Sequence, residues 1–178
     1  MPRSSARQTG YGTARDDHTY LIAIGSNQRH PLFGRPRDIV ALAMELLHET
    51  LGEVTACSAI TASAPVGPSQ RQYANAALLL QSRLNPRSLL NVLQDTEAML
   101  GRVRRGQRWQ ARTLDLDIVL WSGGIFAAPE LIIPHPLYRE RSFVLGPAAQ
   151  IAPLWRDPLT GLTIRQTAAR LSRWKRKA

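Results

Sequence analysis

The amino-acid sequence predicts an α+β fold, a ferredoxin-like βαββαβ core with an extended antiparallel sheet and helices packed on it. Three observations support this prediction. Segments with strand and helix patterns follow one another as strand–helix–strand–strand–helix–strand over the first two thirds of the chain. Hydrophobic residues make up 44% of the 178 residues, which is enough for one domain with a real core. No internal repeat and no linker-like stretch indicates a second domain.

The first four elements are predicted from their apolar patterns. Tyr20–Ile24 is a continuous apolar run typical of a buried strand. A helix is predicted over Asp38–Leu51, because its apolar residues recur with a period near 3.6. The next two strands are predicted over Glu53–Ser63 and Tyr73–Gln81, on either side of a loop rich in proline and glycine.

The second half of the chain begins with a strong helix signal. Asn85-Pro86 combines a favoured N-cap with proline at the first helical position, and an apolar stripe follows as far as Gly101. Leu114–Leu120 is leucine-rich and β-branched, which predicts the fourth core strand. The other predicted elements are two short strands that extend the sheet and two helices: 125–127, 131–133, 143–151 and 164–173.

The two ends of the chain differ from its middle. Residues 1–18 are rich in Arg, Ser, Gly and Thr without periodicity, which predicts a disordered tail. Residues 170–178 contain five basic residues and no acid, so they supply half of the net charge of +10 and predict a solvated basic tail. The predicted single domain therefore spans residues 19–169.

Composition narrows the class of protein. No apolar run approaches the roughly 18 residues of a membrane span, and no signal-peptide core follows the start. Cys57 is the only cysteine in the sequence, so an internal disulfide is impossible and a reducing compartment fits. We therefore expect a cytoplasmic protein without a membrane partner.

Two aspartates stand two residues apart in the predicted strand 114–120. Residues two apart in a strand project from the same face, so Asp115 and Asp117 would lie side by side, with Cα atoms roughly 6–7 Å apart. Such like charges repel unless a cation lies between them. Mg²⁺ prefers carboxylate oxygens and completes its shell with water and substrate phosphates, and a pair this close could share two metal ions. The alternative is a solvated strand face that happens to carry two acids.

An arginine-rich stretch directly precedes the aspartates. Five arginines lie within residues 102–112, which contain no acid and no hydrophobic periodicity, so we predict a loop. Arginine makes bidentate contacts with phosphate oxygens, and arginines combined with metal ions are typical of phosphoryl transfer. The alternative is a basic loop that binds any nucleic acid.

Four segments in order complete a recognisable pattern. They are Gly25-Ser26-Asn27, Pro65-Val66-Gly67-Pro68 leading to Tyr73-Ala74-Asn75-Ala76, the run from Gly101 to Asp117, and Ile133-Pro134-His135 followed by Arg141-Ser142-Phe143. Together they resemble the 6-hydroxymethyl-7,8-dihydropterin pyrophosphokinase family over about residues 20–165. The resemblance implies a diphosphokinase of folate biosynthesis, which transfers the pyrophosphoryl group of ATP to the pterin hydroxymethyl oxygen and releases AMP.

The resemblance also implies a role for each matching residue. Asp115 and Asp117 would hold two Mg²⁺ ions. Arg102 and Arg112 would contact the triphosphate and offset transition-state charge, Arg102 from a loop that closes over the site. The implied contacts with the co-substrate ATP are Glu97, Arg104, Arg108, Trp109, Arg112, His135 and Arg141. The implied pterin contacts are Tyr73 and Phe143 on the two ring faces, Asn75 at the amide edge, and backbone groups around Ser63, Ala64 and Val66.

Three departures from the family pattern fall in loops. Gln110-Ala111 stand where many members have Gly-Pro. Pro136 follows His135 where some members have tyrosine, so a phosphate contact from that tyrosine would be absent or moved to Tyr138. The loop 28–37 is longer and more basic than usual, and no role follows for it. None of these changes removes a residue implied in metal or pterin binding, so we expect an active enzyme.

Two other functions compete with this interpretation. A ferredoxin-like RNA-binding module would stack bases on aromatic side chains of its sheet, but the chain is only 6% aromatic. Two acids on a strand that we expect to be central would also repel an RNA backbone. An ordinary kinase would release ADP where the pyrophosphokinase releases AMP. We therefore expect small-molecule substrates, no nucleic-acid partner and a monomeric protein.

Overall fold

A five-stranded antiparallel sheet forms the frame of the fold. The computed structural model describes residues 17–63, 73–101 and 113–176. The sheet strands are β1 (His18–Ser26), β2 (Glu53–Cys57), β3 (Thr61–Ser63), β4 (Tyr73–Ser82) and β5 (Asp115–Trp121). Four of them lie in the order β2–β4–β1–β5, and β3 pairs with the opposite end of β4 from β2. Every pairing is antiparallel, as the predicted fold class requires.

Four helices and a hairpin complete the described structure. The helices are α1 (Pro36–Leu51), α2 (Pro86–Met99), α3 (Ser142–Ile151) and α4 (Ile164–Lys175). The hairpin consists of β6 (Phe126–Ala128) and β7 (Leu131–Ile133), and a short 3₁₀ turn spans Tyr138–Glu140. Among the described helices, none is long and apolar enough to cross a membrane.

Helices cover both faces of the sheet. The face that carries Tyr20, Ile22 and Ile24 packs against α1 and α2 in one apolar core, and we call it the α1/α2 face. The face that carries Leu21 and Ala23 packs against α3 and α4 in a second core, and we call it the α3/α4 face. Because successive strand residues point to opposite faces, the long strands β1, β4 and β5 supply both cores.

Caps set the helix ends close to their predicted positions. Asn85 Oδ1 accepts from Ser88 N at 3.0 Å and starts α2, with proline at the first helical position. Gly101 follows α2 with φ of 86°, a left-handed conformation that glycine adopts without strain. At α1, Asp38 accepts from Arg35 N at 2.8 Å, so the helix begins at Pro36, two residues before its predicted start.

The predicted strand 53–63 is wrong as a single element, because it divides into β2 and β3. Ser58 lies at the break. Its backbone N donates to Ala77 O at 2.9 Å, and its hydroxyl accepts from Ala77 N at 2.9 Å. A serine side chain thus replaces a backbone carbonyl as the partner of β4, which ends the regular ladder.

The predicted extension of the sheet by residues 125–127 and 131–133 is also corrected. These segments pair with each other as β6 and β7, in a separate two-stranded sheet. Phe126, Leu131 and Ile133 pack against the α1/α2 core, so apolar packing positions the hairpin.

Two elements extend across the predicted tail boundaries. Strand β1 already begins at His18, which pairs with Ser82. Helix α4 continues to Lys175, beyond the predicted domain end at residue 169. Two contacts hold this last part of α4: Leu171 packs against the α3/α4 core, and Lys175 Nζ donates to Ser142 Oγ at 3.0 Å.

Candidate active site

Strand β5 places the two aspartates on the α3/α4 face. Asp115 pairs with Gly25 of β1, and Asp117 pairs with Ala23, one of the residues that define this face. The intervening Leu116 is buried in the α1/α2 core. Both carboxylates are half-buried. Strand alternation therefore brings two acids side by side at the end of β5 where the arginine-rich stretch joins it.

The register of three neighbouring strands extends this polar face. Asn75 of β4, Gly25 of β1 and Asp115 of β5 form one row across the sheet. The predicted strand ended at Ile24, but β1 continues to Ser26 and Gly25 lies inside it. A Cβ at Gly25 would lie 3.5 Å from Asn75 Oδ1, so a larger side chain would cover that amide. Glycine inside a strand is the signal that could have identified this position.

Two predicted pterin residues are joined by a direct hydrogen bond. Asn75 Nδ2 donates to Ser63 Oγ at 2.8 Å, and the Asn75 side chain is buried. Ser63 itself pairs with Tyr73 across the β3–β4 ladder. This bond holds the amide orientation that a flat heterocycle with adjacent donor and acceptor groups would require.

A cavity of about 260 Å³ lies between β3 and α3. Its walls are Thr61, Ala62, Ser63, Ser142, Phe143, Gly146, Pro147 and Gln150. The structure thus brings Ser63 and Phe143 to one cavity, whereas Tyr73 is not part of its wall. Gln150 Oε1 accepts from Ala59 N at 3.0 Å and ties α3 to the chain just before β3.

The imidazole of His135 and the guanidinium of Arg141 approach Asp117 from the segment before α3. His135 Nε2 lies 3.9 Å and Arg141 Nη1 lies 3.6 Å from Asp117 Oδ2. His135 N donates to Val119 O at 3.0 Å, which fixes this segment to β5. The Arg141 guanidinium also lies 5.8 Å from the centroid of the Phe143 ring.

The protonation of His135 reflects its burial. Burial lowers the pKa of His135, Asp117 acts in the opposite direction, and Arg141 lowers the pKa further. The imidazole is therefore mostly neutral at neutral pH. Because His135 Nδ1 accepts from Leu137 N at 3.2 Å, the neutral ring carries its proton on Nε2, the atom that approaches Asp117.

Glu97 contacts the aspartate strand from the α1/α2 side. Its side chain is 2% exposed, and Oε1 accepts from Leu116 N at 2.8 Å. Leu116 lies between the two aspartates on β5, an edge strand of the sheet, so Glu97 satisfies a backbone donor there. This hydrogen bond supports the position of the aspartates, and the predicted contact of Glu97 with ATP stays a prediction.

Tyr138 cannot take over a phosphate contact. The side chain is fully buried, and its hydroxyl donates to Asp157 Oδ2 at 2.8 Å. Of the two alternatives for that contact, its absence or its transfer to Tyr138, the transfer does not fit, because this hydroxyl points into the protein. Its pKa is raised by burial first and by Asp157 second.

Seven predicted site residues lie outside the described residues: Ala64, Val66, Arg102, Arg104, Arg108, Trp109 and Arg112. The departure at Gln110-Ala111 lies there too. The described part of the chain holds no group of three or more His, Cys, Asp or Glu side chains that could bind a metal together. A pair of carboxylates fits a hard cation such as Mg²⁺, which usually keeps several water or phosphate ligands.

A protein-family profile matches most of the chain. The profile matches residues 21–153, and its family is described as 7,8-dihydro-6-hydroxymethylpterin-pyrophosphokinase. A Bacillus subtilis protein named 2-amino-4-hydroxy-6-hydroxymethyldihydropteridine pyrophosphokinase is 38% identical over 159 residues, which cover 88% of this chain and 90% of that protein. A Pseudomonas aeruginosa protein of the same name is 41% identical over 139 residues, covering 77% of this chain and 82% of that protein.

Other similar proteins are longer than the matching region. A Synechocystis protein of the same name is 42% identical over 64% of this chain, and the match spans 58% of its length. The crystal structure of Plasmodium falciparum HPPK-DHPS with pteroate gives a TM-score of 0.69 at 13% identity, covering 90% of this chain and 44% of that chain. At this identity the structure supports the fold alone. From the profile and the relatives together, the chain belongs to the 7,8-dihydro-6-hydroxymethylpterin-pyrophosphokinase family, the pyrophosphokinases of folate synthesis.

Proposed function

We propose that the chain transfers the β,γ-pyrophosphoryl group of ATP to the hydroxymethyl oxygen of 6-hydroxymethyl-7,8-dihydropterin. The hydroxyl oxygen forms a bond to the β-phosphorus, the bond between that phosphorus and the α,β-bridging oxygen breaks, and AMP leaves. The hydroxyl proton is released, and the product is the pterin diphosphate. The observation that carries the proposal is the pair Asp115 and Asp117 on one sheet face, with Asn75 on one side and His135 and Arg141 on the other.

The aspartate pair would hold two Mg²⁺ ions. When bound, these ions would offset the negative charge of the phosphate oxygens and of the attacking oxygen. The chain supplies the two carboxylates on a strand, and it holds them in place by the β1–β5 ladder and by the Glu97 bond to Leu116 N. Rigid strands suit this task because a shift of one carboxylate would change the spacing of the pair.

The phosphate side of the site would lie toward Asp117. His135 Nε2–H and the Arg141 guanidinium both approach this carboxylate, and both can donate to phosphate oxygens. The arginine-rich residues Arg102, Arg104, Arg108 and Arg112, together with Trp109, would add further ATP contacts. Arg102 and Arg112 would act mainly by offsetting transition-state charge.

The pterin side would lie toward Asp115, because Asp115 shares a row with Gly25 and Asn75. Asn75 would read the amide edge of the pterin, with Ser63 holding the side-chain amide in orientation. Tyr73 and Phe143 would stack on the two ring faces, and backbone groups around Ser63, Ala64 and Val66 would bind the rest. The hydroxymethyl group would then point along β5 from Asp115 toward Asp117.

The covered sheet faces argue against the RNA-binding alternative. RNA-binding modules of this shape display aromatic side chains on an open sheet face. Here α1 and α2 cover one face and α3 and α4 pack on the other. A monomeric enzyme acting on small molecules without a nucleic-acid partner is therefore the function that we propose.

Product analysis tests the proposed function. The purified protein is mixed with Mg²⁺, ATP and 6-hydroxymethyl-7,8-dihydropterin, and the nucleotides are separated. We expect AMP that forms only when the pterin is present. ADP would show transfer of a single phosphoryl group, and folded protein that forms neither nucleotide would contradict the proposed activity.

A further inference from the structure

We propose that Asp157 is a positioning residue, which acts through Arg139 and Tyr138 to hold His135 and Arg141 beside Asp117 for ATP binding. The inference rests on the proposed function. Asp157 lies in the turn between α3 and α4, outside all residues that the family resemblance implicates. Its role would be to place the phosphate-binding groups without touching ATP.

The Asp157 carboxylate is fully buried and heavily hydrogen bonded. Oδ1 accepts from Arg139 Nη2 at 2.9 Å and from Leu159 N at 2.9 Å. Oδ2 accepts from the Tyr138 hydroxyl at 2.8 Å and from Arg139 Nε. The arrangement is a bidentate arginine–carboxylate pair with a tyrosine added, which has strict geometric requirements.

The carboxylate stays ionised in this environment. Burial acts to raise the pKa of Asp157, but the hydrogen bonds from Arg139, Leu159 and Tyr138 outweigh it and hold the pKa well below its usual range. The Arg139 guanidinium also lies 4.8 Å from the centroid of the Tyr138 ring. A buried charge pair of this kind is sensitive to the loss of either partner.

We call the bonded side chains of Asp157, Arg139 and Tyr138 the anchor. The 3₁₀ turn connects the anchor to both proposed phosphate-binding groups. Tyr138 N donates to His135 O at 3.2 Å, and Arg141 N donates to Tyr138 O at 3.2 Å. The backbone of Tyr138 is therefore hydrogen-bonded to the backbones of both His135 and Arg141. A displacement of Tyr138 would move both groups relative to Asp117.

Backbone hydrogen bonds also hold the turn that carries Asp157. Asp157 N donates to Leu162 O at 2.9 Å, and Gly161 N donates to Asp157 O at 2.8 Å. Thr163 then caps α4 by accepting from Gln166 N at 3.2 Å. The turn that carries Asp157 is thus a stable support for the 3₁₀ turn.

The pterin side is held by different bonds. Asn75 lies in the β4 ladder and donates to Ser63, and neither residue contacts the anchor in the bonds described above. Phe143 lies in α3, where Val144, Leu145 and Ala148 pack into the α3/α4 core. Loss of the anchor should therefore impair ATP binding much more than pterin binding.

The test is steady-state kinetics of Asp157→Asn with each substrate varied in turn. Asparagine keeps the size of the side chain and one acceptor oxygen, but it leaves the Arg139 charge without its partner. We expect kcat/KM for ATP to fall about 10- to 100-fold, the effect of a small misplacement of binding groups. The KM for the pterin should stay within about twofold of the wild-type value.

Two control variants separate positioning from general loss of stability. Glu130→Gln removes the exposed Arg87–Glu130 pair (2.6 Å) and should leave both substrates unaffected. Leu42→Ala weakens partly buried packing on α1, on the opposite sheet face, and should lower the melting temperature without an ATP-specific effect. The double variant Arg139→Gln with Asp157→Asn restores a neutral hydrogen-bonded pair and should recover part of kcat/KM for ATP.

The outcomes distinguish the two claims. The positioning role is wrong if Asp157→Asn keeps kcat/KM for ATP within twofold of the wild-type value. It is also wrong if the variant raises the KM for ATP and the KM for the pterin by the same factor. If Asp157→Asn does not fold, Arg139→Lys replaces it in the same assay, since lysine keeps the charge but loses the bidentate geometry. If the wild-type protein forms no pterin-dependent AMP, the proposed function itself fails.

Discussion

The two faces of the central sheet are built from the same strands but carry different kinds of residue. The α1/α2 face presents a continuous apolar surface, from Tyr20 and Ile22 of β1 to Ile118 of β5. The α3/α4 face begins in the same way with Leu21 and Ala23, but toward the Asp115 end of β5 it carries Gly25, Asn75 and two aspartates. One face therefore serves mainly stability, and one end of the other carries the candidate site.

This difference also explains an unfavourable feature of β5. Asp is rare in strands, and two like charges on one face destabilise a sheet. The protein retains them beside Arg141, whose guanidinium partly offsets the charge of Asp117. A pair of acids that weakens the strand is expected only where the charge is used. Substitution of the aspartates should therefore lower activity without lowering stability, and substitution in the α1/α2 core should lower stability without lowering activity.

The largest expected effect comes from Asp115→Ala or Asp117→Ala. Each removes half of the proposed metal site, so turnover should fall about a thousandfold or more, because metal charge stabilisation is worth several kcal/mol. Pterin-dependent AMP formation and thermal melting would be measured on the same preparation. Removal of Mg²⁺ by chelation should abolish wild-type turnover, and added Mg²⁺ should restore it. Substantial turnover of either variant at saturating Mg²⁺ would contradict the metal assignment.

The opposite pattern is expected for Leu47→Ala on α1. Leu47 is fully buried in the α1/α2 core, so the free energy of unfolding should fall by about 2–5 kcal/mol. Denaturant unfolding would measure this loss. The kcat of the molecules that remain folded should be close to that of the wild type, and a specific loss of kcat would show that the two faces are not separable.

Glu97 connects the two faces, so its substitution should affect both properties. Glu97→Ala leaves Leu116 N without its acceptor, which should cost about 1–3 kcal/mol and lower kcat about tenfold by moving the aspartate strand. Glu97→Gln keeps an acceptor oxygen and should retain most of the activity. Equal kcat values for the two variants would remove the proposed supporting role of this bond.

The smallest expected effect is that of Gly25→Ala. The added Cβ would lie 3.5 Å from Asn75 Oδ1, which is an ordinary contact, so stability should change by about 1 kcal/mol or less. The pterin KM should rise by about tenfold or less, because one added carbon partly covers the amide that would bind the ring. The KM for ATP serves as the internal control, and a larger change there would place Gly25 on the phosphate side.

Local sequence patterns predicted most of the fold. Periodicity, the Asn85-Pro86 start and the glycine after α2 placed the helices within a few residues, and strand alternation predicted that Asp115 and Asp117 share a face. The division of residues 53–63 was missed, because it depends on a bond between Ser58 and a residue of β4 that lies 19 positions away in the chain. Such a bond exists only after the strands have paired.

Local sequence patterns could not predict the supporting contacts of the site, for the same reason. Nothing in the sequence near Glu97 or Asp157 indicates their partners, since Glu97 binds a backbone donor on β5 and Asp157 binds a 3₁₀ turn 18 residues earlier. Tyr138 follows His135 by only three residues, but its ring is turned into the core, which the sequence does not show. Packing over long sequence distances decides these contacts.

The most direct measurement replaces both Asp115 and Asp117 by asparagine in one protein and records its melting temperature and its pterin-dependent AMP formation. Without metal, removal of two neighbouring like charges should leave the melting temperature unchanged or higher, while AMP formation should fall to background. A melting temperature several degrees lower, as expected for Leu47→Ala, would mean that the aspartates support the fold. AMP formation at the wild-type rate would mean that they do not carry the chemistry.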